Sequence, residues 1–394
     1  MTNRHLITAL AALSLCGAAG AQDFSDILSQ VEANNTALRA LRSEVQADKM
    51  EARTGLTPSD PEIELGYLWE TVDPEGGNRI DFSVSQSFDF PSVYYWKKKI
   101  SQGECAAADY AYALGRKKIL LEAKQVCIDL VYRNALKAEL DKCLSNAEAI
   151  ADSYQRKFDA GGSGALALNK AKMALLSASR VAKNNEIERQ SLLSELQRLN
   201  GGIAVEFSFC DFADPFIPDD FEQWYGQAVK SSSELLAVEN DLRNAESAVK
   251  LATSEWFPKF SIGYMSESVT GSTFQGITGG ISIPLWENHG KVRAAKARRQ
   301  AAEEKLKDDC TQFHLSLKAE YAKALGLIGL RDEYRRTLSG LNPADMLYEA
   351  LDSGEISVEE YTSEMEVWYD AIQDVLECER DCHSIIASLE SFAE

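Results

Sequence analysis

The fold is decided by a short segment that occurs twice, first as Pro61-Glu62-Ile63-Glu64-Leu65-Gly66-Tyr67 and again as Pro258-Lys259-Phe260-Ser261-Ile262-Gly263-Tyr264. The proline, the glycine and the tyrosine recur at one constant offset. In the first copy, Ile63, Leu65 and Tyr67 alternate with polar or small residues. This two-residue period is typical of a half-buried β-strand.

A second pair of matches lies further along the chain. Phe90-Pro91 matches Ile283-Pro284, and Phe158-Asp159-Ala160-Gly161 matches Leu351-Asp352-Ser353-Gly354, so the proline-to-glycine interval is 70 residues in both halves (161 − 91 and 354 − 284). Such spacing indicates an internal duplication. We expect a first repeat over 22–207, a linker rich in breakers over 208–220, and a second repeat over 221–394.

Each repeat contains a predicted β-hairpin, over residues 61–90 and 258–285. Turn residues lie between the strands, as Asp73-Pro74-Glu75-Gly76-Gly77-Asn78 in the first hairpin and Thr270-Gly271-Ser272 in the second. In the first hairpin one face is apolar, with Ile63, Leu65, Tyr67, Trp69, Ile80, Phe82, Val84, Phe88 and Phe90. The opposite face is polar, with Asp81, Ser83, Ser85, Ser87 and Asp89.

The remainder reads as helix, so the predicted fold class is mainly α with a small β part. Residues 25–56 have helical composition, and long helices follow Pro91 and Pro284. Each long helix turns back at a tip, marked by Gly161, Gly164, Gly354 and Ser357. On the first returning helix a coiled-coil seam is predicted from Leu168, Ala171, Leu175, Ala178 and Ala182. Asn342-Pro343 should interrupt the second long helix, since proline lacks an amide donor.

The N-terminal segment and the net charge restrict which class of protein this chain can belong to. Residues 1–21 are predicted to be a secretory signal peptide with cleavage before Gln22, and lipidation of Cys16 is the alternative. The net charge of −20 argues against nucleic acid as a partner. No run of eighteen apolar residues follows Ala21, so passage through a bilayer would use strands instead of helices.

Aromatic residues gather where the predicted strands meet the helices. They are Phe88, Phe90, Tyr94, Tyr95, Trp96, Trp256, Phe257 and Trp286. Membrane barrels place such residues at the water interface. The hairpins are therefore interpreted as membrane strands in contact with outer-membrane lipid, against the alternative of soluble hairpins that cap a secreted or periplasmic coiled-coil binding protein.

The duplicated order of helix, hairpin, long helix, glycine turn and return helix resembles the outer-membrane efflux protein family, the TolC-like channels. The resemblance covers essentially the whole mature chain and includes Phe158-x-x-Gly161 and Leu351-x-x-Gly354-x-x-Ser357. It implies a homotrimer with a 12-stranded transmembrane β-barrel in the outer membrane and a helical α-barrel in the periplasm. It also implies a periplasmic adaptor (membrane fusion protein) and an inner-membrane transporter as partners, with export of drugs, metal ions or other small molecules.

The same resemblance implies a gate near the start of the second return helix. The matching residue is Glu360, with Glu359 and Glu364 beside it. Ser357-Val358-Glu359-Glu360 is also a capping-box sequence, in which Glu360 would bond to the Ser357 amide. Both interpretations stay open at this point.

Chemistry elsewhere in the chain is sparse. Cys378, Cys382 and His383 could bind a soft metal on successive helical turns, which makes a periplasmic metal or electron carrier the second rival function. Free cysteines on helices are more often small core residues, however, and no cofactor or metal is expected. No Ser-His-Asp grouping or phosphate-binding glycine loop occurs, so the chain is not expected to be an enzyme.

Overall fold

The structure is a computed structural model that describes residues 24–69, 71, 77–269, 271–339 and 343–392. The predicted signal peptide, most of the first hairpin turn and Asn342 lie outside these residues. Within the described part, nine helices and four strands follow the order α1 (Ser25–Asn34), α2 (Thr36–Glu51), β1 (Glu62–Leu68), β2 (Arg79–Phe88), α3 (Pro91–Asp159), α4 (Ala165–Leu199), α5 (Phe221–Ser231), α6 (Ser233–Ser254), β3 (Lys259–Val269), β4 (Ser272–Ser282), α7 (Lys291–Leu338), α8 (Pro343–Ser353) and α9 (Val358–Ser391). The mainly helical fold with a small sheet is therefore confirmed.

The four strands form one antiparallel sheet in the order β1-β2-β3-β4. The two hairpins join through β2 and β3, where Val84 lies opposite Tyr264 and Phe88 lies opposite Phe260. Strands β1 and β4 are the edges of this sheet. Both expected hairpins are present, and their strand ends differ from the predicted ranges by only a few residues.

The first long helix, α3, has 69 residues and so extends for about 100 Å. Proline at its first turn suits a helix start, where no amide donor is required. The turn after α3 places Gly161 at φ 76°, a conformation that glycine adopts without strain. Helix α4 then packs back along α3 with Leu168 and Ala171 buried, as the predicted seam requires.

The second long helix starts further from its proline than the first does. Helix over most of the interval after Pro284 is confirmed, but α7 begins only at Lys291. Asn288 is buried and donates from Nδ2 to the Glu255 carbonyl oxygen at 2.5 Å, which holds the preceding turns out of helical geometry. Gly290, at φ 83°, then sets the direction of the new helix. The interruption expected near Pro343 is confirmed, since α7 ends at Leu338 and α8 begins at Pro343.

The principal core lies at the waist of the molecule, where α1, α3, α4 and α9 meet. It includes Val31, Cys127, Leu130, Leu196 and Ala387, all nearly or fully buried. The helical character expected for residues 25–56 is confirmed over most of this range, but as two helices, because Asn35 separates α1 from α2. The Asn35 side chain accepts a hydrogen bond from the Leu38 amide at 2.9 Å and donates to the Leu199 carbonyl at 2.8 Å. It therefore caps α2 and ties it to the end of α4.

Residues 203–220, which we name the strap, contain no helix or strand and cross the waist with Phe207 as their one buried residue. Phe207 is buried and stacks on Phe24, with ring centroids 6.2 Å apart. Asn134 Nδ2 donates to the Phe209 carbonyl at 2.7 Å. Further along, Phe212 stacks on His383 at 4.9 Å, and His383 Nε2 lies 3.0 Å from the Ala213 carbonyl oxygen. Phe207 thus belongs to the core, and the contacts of Phe209, Phe212 and Ala213 attach the partly exposed remainder of the strap to α3 and α9.

His383 is a titratable side chain in the attachment of the strap to α9. Its burial lowers the pKa of His383, and Arg331 and Arg335 on α7 lower it further, whereas the Ala213 carbonyl and Glu390 oppose this shift. A lowered pKa in the folded state means that stability is complete above the unfolded value of about 6.5 and declines as the pH falls towards the folded value.

We therefore expect the wild-type protein to lose stability between pH 7 and pH 5 relative to His383→Gln, by at most about 1.4 kcal/mol per pH unit. Glutamine can still donate to the Ala213 carbonyl but does not titrate. Thermal denaturation of both proteins across this range tests the prediction. Parallel curves for the two proteins would contradict the prediction, because they would show that the pKa of His383 is the same in the folded and unfolded states.

Candidate functional site

The sheet has one apolar face that is open to its surroundings. Residues opposite each other in register share a face, so the apolar rows cross all four strands, as in the row Ile63, Val84, Tyr264 and Ile277. Exposure reaches 75% at Leu65 and 83% at Ile277. The exposed large apolar residues of this face are Ile63, Leu65, Tyr67, Ile80, Phe82, Phe88, Phe260, Ile262, Tyr264, Ile277 and Ile281.

The opposite face of the same sheet is made mostly of small and polar residues. One of its rows contains Glu62, Ser85, Gly263 and Thr278. Near the far end, Arg79 Nε pairs with Asp81 at 2.8 Å and with Glu267 at 3.2 Å. Charged side chains of this kind require water or ion partners, so this face is suited to an aqueous space.

Eleven large apolar side chains on one face of the sheet are thus exposed in the single chain. A contiguous apolar surface of this size indicates contact with lipid or with another protein surface. Strands β1 and β4 also present backbone groups that have no partner strand within the described chain. An open edge of this kind favours pairing with a further strand. Among the described helices, none combines the length and apolar character needed to cross a bilayer.

The eight predicted interface aromatics all lie at the base of the sheet, in the last strand residues, the connections or the first two turns of α3. Phe90, between β2 and α3, stacks on Phe257, between α6 and β3, with ring centroids 4.5 Å apart. This contact joins the bases of the two hairpins. Tyr95 and Trp96 make an edge-to-face contact at 4.9 Å. Trp286 is 81% exposed, so the described residues cover little of its ring. Their role at a membrane interface stays a prediction.

At the opposite end of the molecule, the tip contains the three predicted gate glutamates. Glu360 closes a capping box, because its Oε2 accepts from the Ser357 amide at 2.8 Å while its own amide donates to Ser357 Oγ at 3.2 Å. These hydrogen bonds from Ser357 hold the pKa of Glu360 below its usual range. Glu360 is therefore an ionised helix cap, and its role in a gate is a separate question.

The two neighbouring glutamates differ from each other. Glu359 pairs with Lys170 of α4, a contact that no sequence signal indicated. Glu364 lies exposed one turn further along α9. The charge of Glu359 is thus partly offset within the chain, whereas those of Glu360 and Glu364 face outward. The structure brings all three to one end of the molecule but does not test their function.

Beneath these glutamates, α8 packs on α9 through an apolar cluster that contains Leu351, Val358, Tyr361 and Met365. A cavity of about 300 Å³ lies beside it, between α3, α4 and α9. The Tyr361 hydroxyl is buried without a hydrogen-bond partner among the described residues, and burial raises the pKa of Tyr361 to about 12. The tip is therefore packed, but with free volume beside the first turns of α9.

The cysteine and histidine group on α9 has structural contacts. Cys378 Sγ lies 3.7 Å from the Leu327 carbonyl oxygen, and His383 contacts the strap. Burial raises the pKa of the Cys382 thiol to about 11, which disfavours the thiolate that a metal would bind. In the described part of the chain, no three His, Cys, Asp or Glu side chains cluster as metal ligands.

Comparison with known proteins gives a clear result for the fold. No family model matches the sequence, and no curated relative is found by sequence comparison. Solved structures do match. CusC, whose structures concern folding and transmembrane channel formation, is 16% identical, with 96% of this chain and 95% of CusC covered and a TM-score of 0.78. The Campylobacter jejuni CmeC outer membrane channel is also 16% identical, with 100% and 93% covered and a TM-score of 0.70.

The Neisseria gonorrhoeae MtrE outer membrane channel, in its open state, is 14% identical, with 93% of this chain and 88% of MtrE covered and a TM-score of 0.70. The likeness extends over nearly the full length of each channel. This chain therefore has the fold of these outer-membrane channels, and the resemblance to the TolC-like family that its sequence indicated is confirmed for the fold.

Proposed function

We propose that this chain is one of three identical subunits of a channel in the outer membrane, with a helical extension in the periplasm. The channel exports small molecules such as drugs or metal ions and performs no chemistry on them. Three four-stranded sheets would close into a 12-stranded barrel. Membrane barrels need at least about eight strands, so a single chain is insufficient.

The observation that carries this proposal is the pair of unlike faces on a sheet with two open edges. In a closed barrel the row Ile63, Val84, Tyr264 and Ile277 would face lipid, and the row Glu62, Ser85, Gly263 and Thr278 would face water. Closure would also satisfy the backbone groups of β1 and β4, which hydrocarbon cannot do. The fold shared with CusC, CmeC and MtrE supports the same arrangement.

The helix pairs α3 with α4 and α7 with α9, which we name the helical rods, support a passage on the periplasmic side. Three copies of α3 with α4 and of α7 with α9 would form the wall of an α-barrel about 100 Å long. A periplasmic adaptor and an inner-membrane transporter would deliver substrate at the tip. Recording from the purified protein in planar lipid bilayers tests the function. We expect stable conductance steps, and a well-folded trimer that gives no conductance under any applied voltage would refute a channel.

We expect Glu360→Gln to weaken cation preference and block by divalent ions while trimer stability stays nearly unchanged. Three copies of Glu360 around one axis would concentrate negative charge, which attracts cations. Glutamine preserves the capping bond to the Ser357 amide but removes the charge. Single-channel recording gives selectivity and block, and thermal dissociation of the trimer gives stability.

Glu359→Gln is the matched control, because Lys170 already offsets the Glu359 charge. It should change selectivity less than Glu360→Gln does. If Glu360→Gln destabilises the trimer and leaves conductance, block and selectivity untouched, Glu360 is only a helix cap and the gate lies elsewhere.

A further inference from the structure

Both long helices begin with a strongly basic segment, although the whole chain has a net charge of −20. Residues 92–103 contain Lys97, Lys98 and Lys99, and residues 291–302 contain three arginines and two lysines. Neither segment contains an aspartate or a glutamate. The first turns of α3 and α7 are therefore two cationic stretches in an acidic protein.

Three of these eight cations are paired within the chain. Lys97 Nζ lies 3.2 Å from Asp89, Lys291 Nζ lies 3.1 Å from Glu255, and Arg299 Nη2 lies 3.4 Å from Glu303. The other five are exposed and form no salt bridge with any described residue. We name them the basic collar: Lys98, Lys99, Arg293, Lys296 and Arg298. Their charges are available to an external ligand.

The collar lies directly below the sheet on both rods. The stacked rings of Phe90 and Phe257 and the bond from Asn288 to the Glu255 carbonyl hold the starts of α3 and α7 against the same end of the sheet. Every collar residue is within eight residues of its helix start, so all five lie within about 12 Å of it along the helix. The collar is thus confined to one narrow band.

The two collar lysines on α3 lie on the same face of the helix as one of the predicted interface aromatics. Lys98 and Lys99 follow Tyr95 by three and four residues, so the three side chains share one helix face. Tyr95 is 54% exposed. An aromatic ring followed one turn later by two cations is the order expected from the hydrocarbon boundary into the phosphate region of a leaflet.

We propose that the basic collar binds the phosphates of anionic phospholipids, such as phosphatidylglycerol, in the leaflet nearest the helical rods. The proposal rests on the proposed function, because it places the sheet in the outer membrane. The positive ends of α3 and α7 lie in the same band and attract the same phosphates. Nucleic acid is disfavoured by the negative charge of the remaining chain, and the aromatic neighbour favours lipid over an acidic protein.

The test uses the full mature protein in nanodiscs that contain phosphatidylcholine with a fluorescent phosphatidylglycerol probe. We expect the wild-type protein to bind phosphatidylglycerol about ten-fold more tightly than phosphatidylcholine, since each nearby cation contributes to attraction by an anionic surface. The variant with Lys98→Gln, Lys99→Gln, Arg293→Gln, Lys296→Gln and Arg298→Gln should show almost no preference. Raised salt should reduce the preference of the wild type.

A control variant removes five exposed lysines away from the collar, by Lys172→Gln, Lys183→Gln, Lys230→Gln, Lys305→Gln and Lys318→Gln. Its change in net charge is the same, so it should retain the full preference. Lys98→Gln with Lys99→Gln alone should give an intermediate value and guards against misfolding of the larger variant.

The outcomes separate this proposal from the function on which it rests. A wild-type protein that enters nanodiscs and conducts, but binds phosphatidylglycerol as tightly with the collar as without it, overturns the lipid proposal and leaves the channel intact. Collar-dependent binding of soluble polyglutamate with no lipid preference would overturn it in favour of an acidic protein partner. A protein that fails to enter nanodiscs at all would overturn the proposed function.

Discussion

Val84→Arg should abolish most assembly of the trimer in the membrane, whereas Ser85→Arg should leave it largely intact. The two positions are adjacent in β2 but lie on opposite faces of the sheet. An arginine on the lipid face near mid-membrane is expected to cost about 2–4 kcal/mol per subunit. The effect should appear as loss of the SDS-resistant trimer from isolated outer membranes.

The register explains the difference between the two variants. Val84 lies between Ile63 and Tyr264, so an arginine there would place its charge within an entirely apolar row. Ser85 lies opposite Glu62 on one side and Gly263 on the other. An arginine at residue 85 would lie opposite the carboxylate of Glu62, on the polar face. Equal assembly of the two variants would show that the apolar face does not contact lipid.

Gly201→Ala should be strongly destabilising, and more so than Gly202→Ala. Both glycines follow α4 with positive φ, 67° at Gly201 and 89° at Gly202, where alanine costs about 1–2 kcal/mol. They differ in their surroundings. A Cβ atom at Gly201 would lie 2.3 Å from the Asn34 carbonyl oxygen, whereas one at Gly202 would meet nothing within 4 Å. Overlap with backbone adds about 1–3 kcal/mol at Gly201 alone.

The contact at Gly201 is difficult to relieve because the Asn34 backbone is itself fixed. Asn34 Nδ2 donates to Asn200 Oδ1 at 3.0 Å, and the next residue, Asn35, donates to the Leu199 carbonyl. Moving Asn34 would disturb both hydrogen bonds at the waist. Thermal melting followed by circular dichroism compares the variants. Identical losses for Gly201→Ala and Gly202→Ala would mean that the waist yields freely and that only φ matters.

The regular parts of this fold could be predicted because each has a periodic or punctuated sequence. Alternation identified the hairpins, and the glycine turn at Gly161 and the proline at Pro343 marked helix ends. The helix breaks at Asn35 and Asn288 could not be predicted, because each depends on a tertiary hydrogen bond to a distant carbonyl. The internal duplication and its boundaries stay a prediction.

The candidate sites were predictable to different degrees. The aromatic residues at the base of the sheet were identified from their clustering in the sequence. The pairing of Glu359 with Lys170 could not be, because 189 residues separate them. The packing of the strap was also missed, although Phe207, Phe209 and Phe212 within a breaker-rich segment were a usable signal. The run Lys97-Lys98-Lys99 was likewise visible before its position below the sheet was known.

Fractionation of the cell envelope followed by sizing in detergent tests the central proposal most directly. Four strands per chain leave two open edges, which only further copies can close within a membrane. We predict that the protein is recovered from the outer membrane as a detergent-stable homotrimer. Recovery as a monomer from the soluble periplasmic fraction would contradict the proposed channel.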